Sequence, residues 1–180
     1  LILIGYRGTG KTTVGRLAAR MLDYSLVETD AEIVRQAGIS IPEIVKQNSW
    51  DYFRDLESRV VTEVCRRDRT IIDCGGGVVT RQENVRHLKK SGIIFLLTAE
   101  VEDIIRRISS SSQRPSLTGD KSFTAEVEEV LKERKPLYRA AADFIIDTSQ
   151  ESPHTAAKMI AAILRQKAAR GSSWRDEDPG

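Results

Sequence analysis

The nine residues GYRGTGKTT, Gly5 to Thr13, follow directly on the apolar run Leu1-Ile2-Leu3-Ile4. Three glycines, a lysine and three threonines in one turn favour neither helix nor sheet, so their spacing must answer to chemistry. Behind a strand, G-x-x-x-x-G-K-T is the pattern of a phosphate-cradling loop, carried here by Gly5, Gly10, Lys11 and Thr12. The glycines admit positive φ and let backbone N–H groups converge on an anion without interference from Cβ. A helix over residues 12–22 adds the positive end of its dipole. Lys11 can reach the β- and γ-phosphates, the Thr12 hydroxyl is placed to ligate Mg²⁺, and Thr13 faces the α-phosphate. A glycine-rich turn that binds nothing is the alternative, and the full motif with both flanking elements weighs against it.

Four further clusters could serve an acceptor. In VETDAEI, Glu28 and Asp30 stand two apart at the end of a strand, which directs both carboxylates one way if the strand continues that far. Equally, Asp30 could cap a helix at 31–36. In WDYFRDLES, Arg54 and Glu57 are spaced to pair on one helix, either as an oriented guanidinium or as a surface ion pair. Gly75, Gly76 and Gly77 end the run IIDCGGG, where a close backbone approach to a ligand or a loose turn would account for them. Arg114 in QRPSL and Arg139 in KPLYR suit bidentate contact with carboxylate or phosphate, or solvent.

The elements that must position these groups alternate. Short apolar runs at 1–4, 25–28, 70–73, 93–98 and 144–147 lack strict alternation, as strands buried on both faces do. Helical spacing joins Phe53, Leu56, Val60 and Val64, and again Ala156, Met159, Ile160, Ile163 and Leu164. The pattern predicts an α/β domain with a parallel sheet covered on both faces. One domain spans residues 1–170, with a polar loop at 109–122 that reads as a mobile lid and a tail at 171–180 that reads as disordered.

A chain of 180 residues fits one domain, and its net charge of +2 is too small to imply nucleic acid or an anionic membrane. No apolar run approaches the roughly 20 residues of a membrane span. Two cysteines, Cys65 and Cys74, make no disulfide framework, which suits a reducing cytoplasmic setting. With no segment advertising an interface, a monomer is expected.

In this order, GxxxxGKTT, ETD, FRxxE, GGG, RP and PLYR resemble shikimate kinase from Leu1 to about Leu164. The phosphate loop is widely shared among kinases, whereas FRxxE, GGG and PLYR together are close to diagnostic. The resemblance implies transfer of the ATP γ-phosphate to the 3-hydroxyl of shikimate in aromatic amino-acid biosynthesis. It also implies the P-loop, nucleoside-monophosphate-kinase-like fold, three layers around a five-stranded parallel sheet in order 2-3-1-4-5, with a substrate-binding helical region at about 30–60.

By resemblance, Gly8, Thr9, Gly10, Lys11, Thr12 and Thr13 bind the nucleotide. Arg107 lies along the adenine, and the segment 149–153, with Pro153, borders the same base. Asp30 holds the acceptor hydroxyl, Arg54 and Arg139 clamp the shikimate carboxylate, and Glu57 supports Arg54. Gly75, Gly76 and Gly77 line the ring, and Arg114 meets the transferring phosphoryl group.

Two positions depart from the family's usual pattern. Glu28 replaces the first Asp of D-x-D, and Asp73 stands where a small residue is commoner. The expectation is that Asp73 and Glu28 share the Mg²⁺-side role through metal-bound water, with Asp73 as a mere cap of the glycine turn the alternative. Ser49-Trp50 replaces a common Gly-Glu, with Trp50 expected to pack. Other readings are a gluconate-kinase-like enzyme, or a kinase-like regulatory module without turnover.

Overall fold

The structure, a computed structural model, describes residues 1–109 and 123–169. Arg114, nearly all of the expected lid and the expected tail lie outside the described residues.

Among the described residues five strands are formed: β1 (Ile2–Ile4), β2 (Ser25–Glu28), β3 (Thr70–Asp73), β4 (Ile94–Thr98) and β5 (Phe144–Asp147). They make one parallel sheet in the order β2-β3-β1-β4-β5, as the resemblance implied. Helices α1 (Lys11–Leu22), α2 (Thr29–Ala37), α3 (Ile41–Gln47), α4 (Trp50–Val64), α5 (Gln82–Ser91), α6 (Val101–Ser109), α7 (Phe123–Ala141) and α8 (Pro153–Ala169) link and cover them, with a 3-10 turn at Val78–Thr80.

Alternate side chains of the central strands leave on opposite faces, and both faces are covered. Ile2, Ile4, Ile72 and Leu96 join one core with Ile33, Phe53, Val60 and Tyr138. Leu3, Ile71, Phe95 and Leu97 join the other with Val14, Ala18, Ala156 and Ile160. That double burial is why these strands read as unbroken apolar runs. The edge strands differ: Ser25 is exposed, and Ile145 is 53% exposed.

One helical stripe needs correction. Met159, expected on the buried face of α8, is exposed, while Ala156, Ala157, Ile160 and Ala161 are buried. α8 packs on α1, which offers Ala18 and Ala19 in return. Small residues on both sides line this seam, and the longer methionine is left outside.

Local signals set the helix that carries Arg54. Ser49 Oγ accepts from the Tyr52 N–H at 3.1 Å, capping α4, so the Ser at this departure from the family pattern has a helix-starting role. Before it, Ser40 and Glu43 form a reciprocal capping box at the start of α3.

Strand β1 runs straight into Gly5, at φ +141°, where an added Cβ would collide with the Leu97 carbonyl oxygen. Gly5→Ala is therefore expected to cost about 1–3 kcal/mol. Urea denaturation, with unchanged slope and a lower midpoint, is the measurement that checks it.

Candidate active site

All the chemistry-bearing loops leave the carboxyl ends of strands, where open parallel sheets bind ligands. The phosphate loop follows β1. Gly8 and Gly10 take positive φ, at +81° and +85°, and Gly10 is the N-cap of α1 with no side chain to block the first helical N–H groups. Thr9 is buried, its hydroxyl donating to the Tyr6 carbonyl at 2.8 Å. Lys11 Nζ donates to the carbonyls of Gly5 at 2.9 Å and Tyr6 at 3.1 Å, so the ammonium lies over its own loop. Thr13 is exposed at the start of α1.

The two acidic positions of the departure separate. Thr12 Oγ1 donates to Asp73 Oδ2 at 2.6 Å, joining the phosphate loop to the end of β3. Glu28, paired in register with Asp73 on the neighbouring strand, instead accepts from Arg16 at 3.0 Å. Burial pushes the Asp73 carboxyl up, opposed by Lys11 and by the Thr12 hydroxyl, with Glu28 and Asp30 adding like charge. Lys11 and Asp30 are thus each within electrostatic reach of Asp73.

Asp30 does not reach the site by strand alternation, nor does it cap a helix. The strand stops at Glu28, and Asp30 is the second residue of α2. The anchor is Thr29: fully buried, its hydroxyl accepts from the Gly75 N–H at 2.9 Å and pins the start of α2 to the glycine turn. Asp30 then lies against Gly75, where an added Cβ would collide with Asp30 Oδ1 and stand 3.0 Å from Glu57 Oε1.

That turn is ordered. Val78 N–H donates to the Gly75 carbonyl at 3.1 Å, and Thr80 donates twice to the Gly77 carbonyl, at 3.0 Å from N–H and 2.7 Å from Oγ1. A Cβ at Gly77 would collide with the Arg54 guanidinium. The glycines therefore make room for the site's own side chains.

Arg54 is held on several sides. Its Nη1 donates to Glu57 Oε2 at 2.6 Å, and its Cζ lies 5.0 Å from the Phe53 ring centroid and 5.7 Å from that of Trp50. The Arg54 side chain is 16% exposed and that of Glu57 is 0%. This is the oriented guanidinium, not a surface pair, and Trp50 packs on it as a cation–π partner. Burial pushes the Glu57 carboxyl up, against the pull of Arg54.

Arg139 is exposed near the end of α7, and its side chain makes no hydrogen bond or ion pair with another described residue. Sequence reasoning passed over its neighbours. The Tyr138 hydroxyl and Arg134 Nη1 both donate to the Gly76 carbonyl, the latter at 3.0 Å. Their i, i+4 spacing beside PLYR is the one signal that could have found them. Arg107 donates to the Gly8 carbonyl at 3.2 Å and to Thr148 at 3.0 Å and 2.8 Å. Thr148, also missed, donates back to the Thr9 carbonyl at 3.1 Å. It sits one residue past β5, where the sheet rule points to ligand contact. Pro153 opens α8 and is exposed. His87 and His154 are exposed.

The arrangement joins a phosphate cradle, a hydroxyl–carboxylate pair at its edge, a second carboxylate at a glycine turn and an oriented guanidinium. It can grip a polyphosphate and turn a small anionic alcohol toward it.

Comparison with known proteins agrees. The family model for shikimate kinase matches residues 7–165. A shikimate kinase of Syntrophus aciditrophicus is 41% identical over 92% of this chain and 89% of its own. That of Dehalococcoides mccartyi is 37% identical over 92% and 93%. Among solved structures, shikimate kinase from Acinetobacter baumannii in complex with shikimate has a TM-score of 0.85 and 35% identity, covering 92% of this chain and 93% of that one. Shikimate kinase from Aquifex aeolicus has a TM-score of 0.76 and 28% identity, covering 94% and 98%.

Because burial raises the Glu57 carboxyl above its unfolded value, the native state holds that proton more tightly than the unfolded chain does. The group favours the fold at low pH and loses that contribution as pH rises. The Tm of Glu57→Gln relative to wild type should therefore increase as pH is raised from the ordinary glutamate range toward neutrality. Paired thermal melts across that range are the check.

Proposed function

The chain belongs to the shikimate kinase family of ATP-dependent phosphotransferases, and from that membership we propose how its residues divide the work. The reaction moves the γ-phosphoryl group of ATP to the 3-hydroxyl of shikimate. The observation that carries the division of labour is the glycine turn, whose missing Cβ atoms seat Asp30 on one side and Arg54 on the other.

Gly8, Thr9, Gly10, Lys11, Thr12 and Thr13 hold the triphosphate. Lys11, free to exchange its two loop carbonyls for phosphate oxygens, offsets charge as the phosphoryl group departs. Arg107 and the segment containing Pro153 border the base, with Thr148 fixing Arg107. Arg114 belongs to this reading by its motif alone.

Arg54, oriented by Glu57, meets the shikimate carboxylate, and Arg139 closes on it from the exposed end of α7. Charge-assisted hydrogen bonds of this kind are worth about 1.5–3 kcal/mol each. Gly75, Gly76 and Gly77 line the ring. Asp30 accepts a hydrogen bond from the attacking hydroxyl and takes its proton as the new P–O bond forms.

The residues fit a magnesium ion: Thr12 Oγ1 and Asp73 Oδ2, two hard oxygens 2.6 Å apart, stand at the phosphate end of α1. Asp73, through a metal-bound water, and the Thr12 hydroxyl would hold it, and bound there it neutralises phosphate charge. Glu28, engaged by Arg16, is the lesser contributor. ATP and shikimate are then the partners of a protein that acts as a monomer in the cytoplasm. Among the described residues no helix is long and apolar enough to cross a membrane.

Release of ADP in a coupled assay should follow addition of shikimate, and not of gluconate or AMP. Release driven by gluconate alone would favour the gluconate-kinase reading. Arg139→Ala should raise the shikimate KM about tenfold or more, in line with loss of one charge-assisted contact, with the ATP KM changed much less. Asp73→Asn should raise the Mg²⁺ concentration needed for half-maximal turnover. An unchanged requirement would remove Asp73 from the metal-side role.

A further inference from the structure

The phosphate loop and the glycine turn leave different strands, and the distance between them decides whether donor and acceptor meet. Helix α7 touches both. Near its amino end, Glu126 is fully buried and accepts from Arg7 Nη2 at 3.3 Å, with the Arg7 side chain only 11% exposed. Arg7 lies inside the phosphate loop, its guanidinium 5.7 Å from the Tyr6 ring centroid. Two and three turns further on, Arg134 and Tyr138 both donate to the Gly76 carbonyl.

Positions 126, 130, 134 and 138 follow one side of the helix at a spacing of four. Glu126, Val130 and Tyr138 are buried, and Arg134 is partly buried. Gly76 itself lies against the phosphate loop: a Cβ there would stand 3.5 Å from Arg7 N, 3.7 Å from the Gly5 carbonyl oxygen and 3.7 Å from the Tyr138 hydroxyl.

Two donors on one carbonyl use both of its lone pairs and fix the orientation of its peptide plane. In a planar trans peptide the Gly77 N–H points opposite to the Gly76 oxygen. Holding that oxygen toward α7 therefore aims the Gly77 N–H away from the helix. The buried Arg7–Glu126 pair holds the same helix to the phosphate loop.

We propose that Glu126, Arg134 and Tyr138 are positioning residues that make α7 a brace between the two half-sites, setting the glycine turn against the phosphate loop. The inference rests on the reading of Gly75–Gly77 as the shikimate-binding turn. Tyr138→Phe keeps the ring and removes the donor. It should raise the shikimate KM about 3- to 10-fold, the size of one lost hydrogen bond, with the ATP KM within about twofold.

Arg134→Met should do the same, and Arg134→Lys, which keeps a donor, should restore part of the loss. Glu126→Gln, loosening the anchor on the phosphate loop, should raise both constants. Lys132→Ala, on the exposed side of α7, should change neither. Equal rises in both constants for Tyr138→Phe, or none, would overturn the brace.

Hydrogen exchange separates this idea from the assignment of the substrate. Amides of residues 75–78 should exchange faster in Tyr138→Phe, with α1 unchanged, whether or not shikimate is phosphorylated. Unaltered exchange in that turn would refute the brace even if wild-type turnover of shikimate is robust. Faster exchange with no wild-type turnover would leave the brace standing and refute the substrate.

Discussion

At two glycines of this chain a charged side chain occupies the space that a Cβ would need. At Gly77 the Arg54 guanidinium fills that space, and at Gly75 the carboxylate of Asp30 does so. The part of the candidate site that carries Asp30 and Arg54 depends on this exclusion. Any side chain at either glycine would push away the charged group that stands there, and α2 and α4 carry those groups from separate directions. Thr29 makes the fit two-sided by taking the Gly75 N–H, so the turn is held by the helix it admits.

The same region gathers charge in a low-dielectric setting. Glu57 and Asp73 are both buried, and burial raises both carboxyls. Each has one close partner: Arg54 for Glu57, and the Thr12 hydroxyl with nearby Lys11 for Asp73. Desolvation makes such pairs poor sources of stability, and their geometric precision is what they contribute. Glu57 holds the guanidinium's angle, and Asp73 holds the hydroxyl that ends the phosphate loop. The two apolar cores on either face of the sheet supply the stability these buried charges draw on.

Much of this was legible in the chain. The phosphate loop could be read because its glycines, lysine and threonine are contiguous, and the sheet order followed from the family the motifs resemble. The Arg54–Glu57 pair was legible as a spacing, although its burial was not. Other features stayed hidden. Asp30 joined the site through a helix that begins at Thr29, two residues earlier than a capping Asp would allow. Met159 kept the helical period and still ended outside, because alanines on α1 and α8 made a seam for small residues.

Local spacing thus determined which groups could act: a phosphate cradle, an orientable arginine, and a run of three glycines after a strand. Periodicity and β-branched runs determined the layers that carry them. Folding alone settled which carboxylate meets Thr12 and which is taken up by Arg16, and that Arg134 and Tyr138 would converge on one carbonyl. Those contacts join residues far apart in the chain, such as Arg7 and Glu126. Their energy depends on distance and burial through the packed core, and no window of sequence contains either quantity.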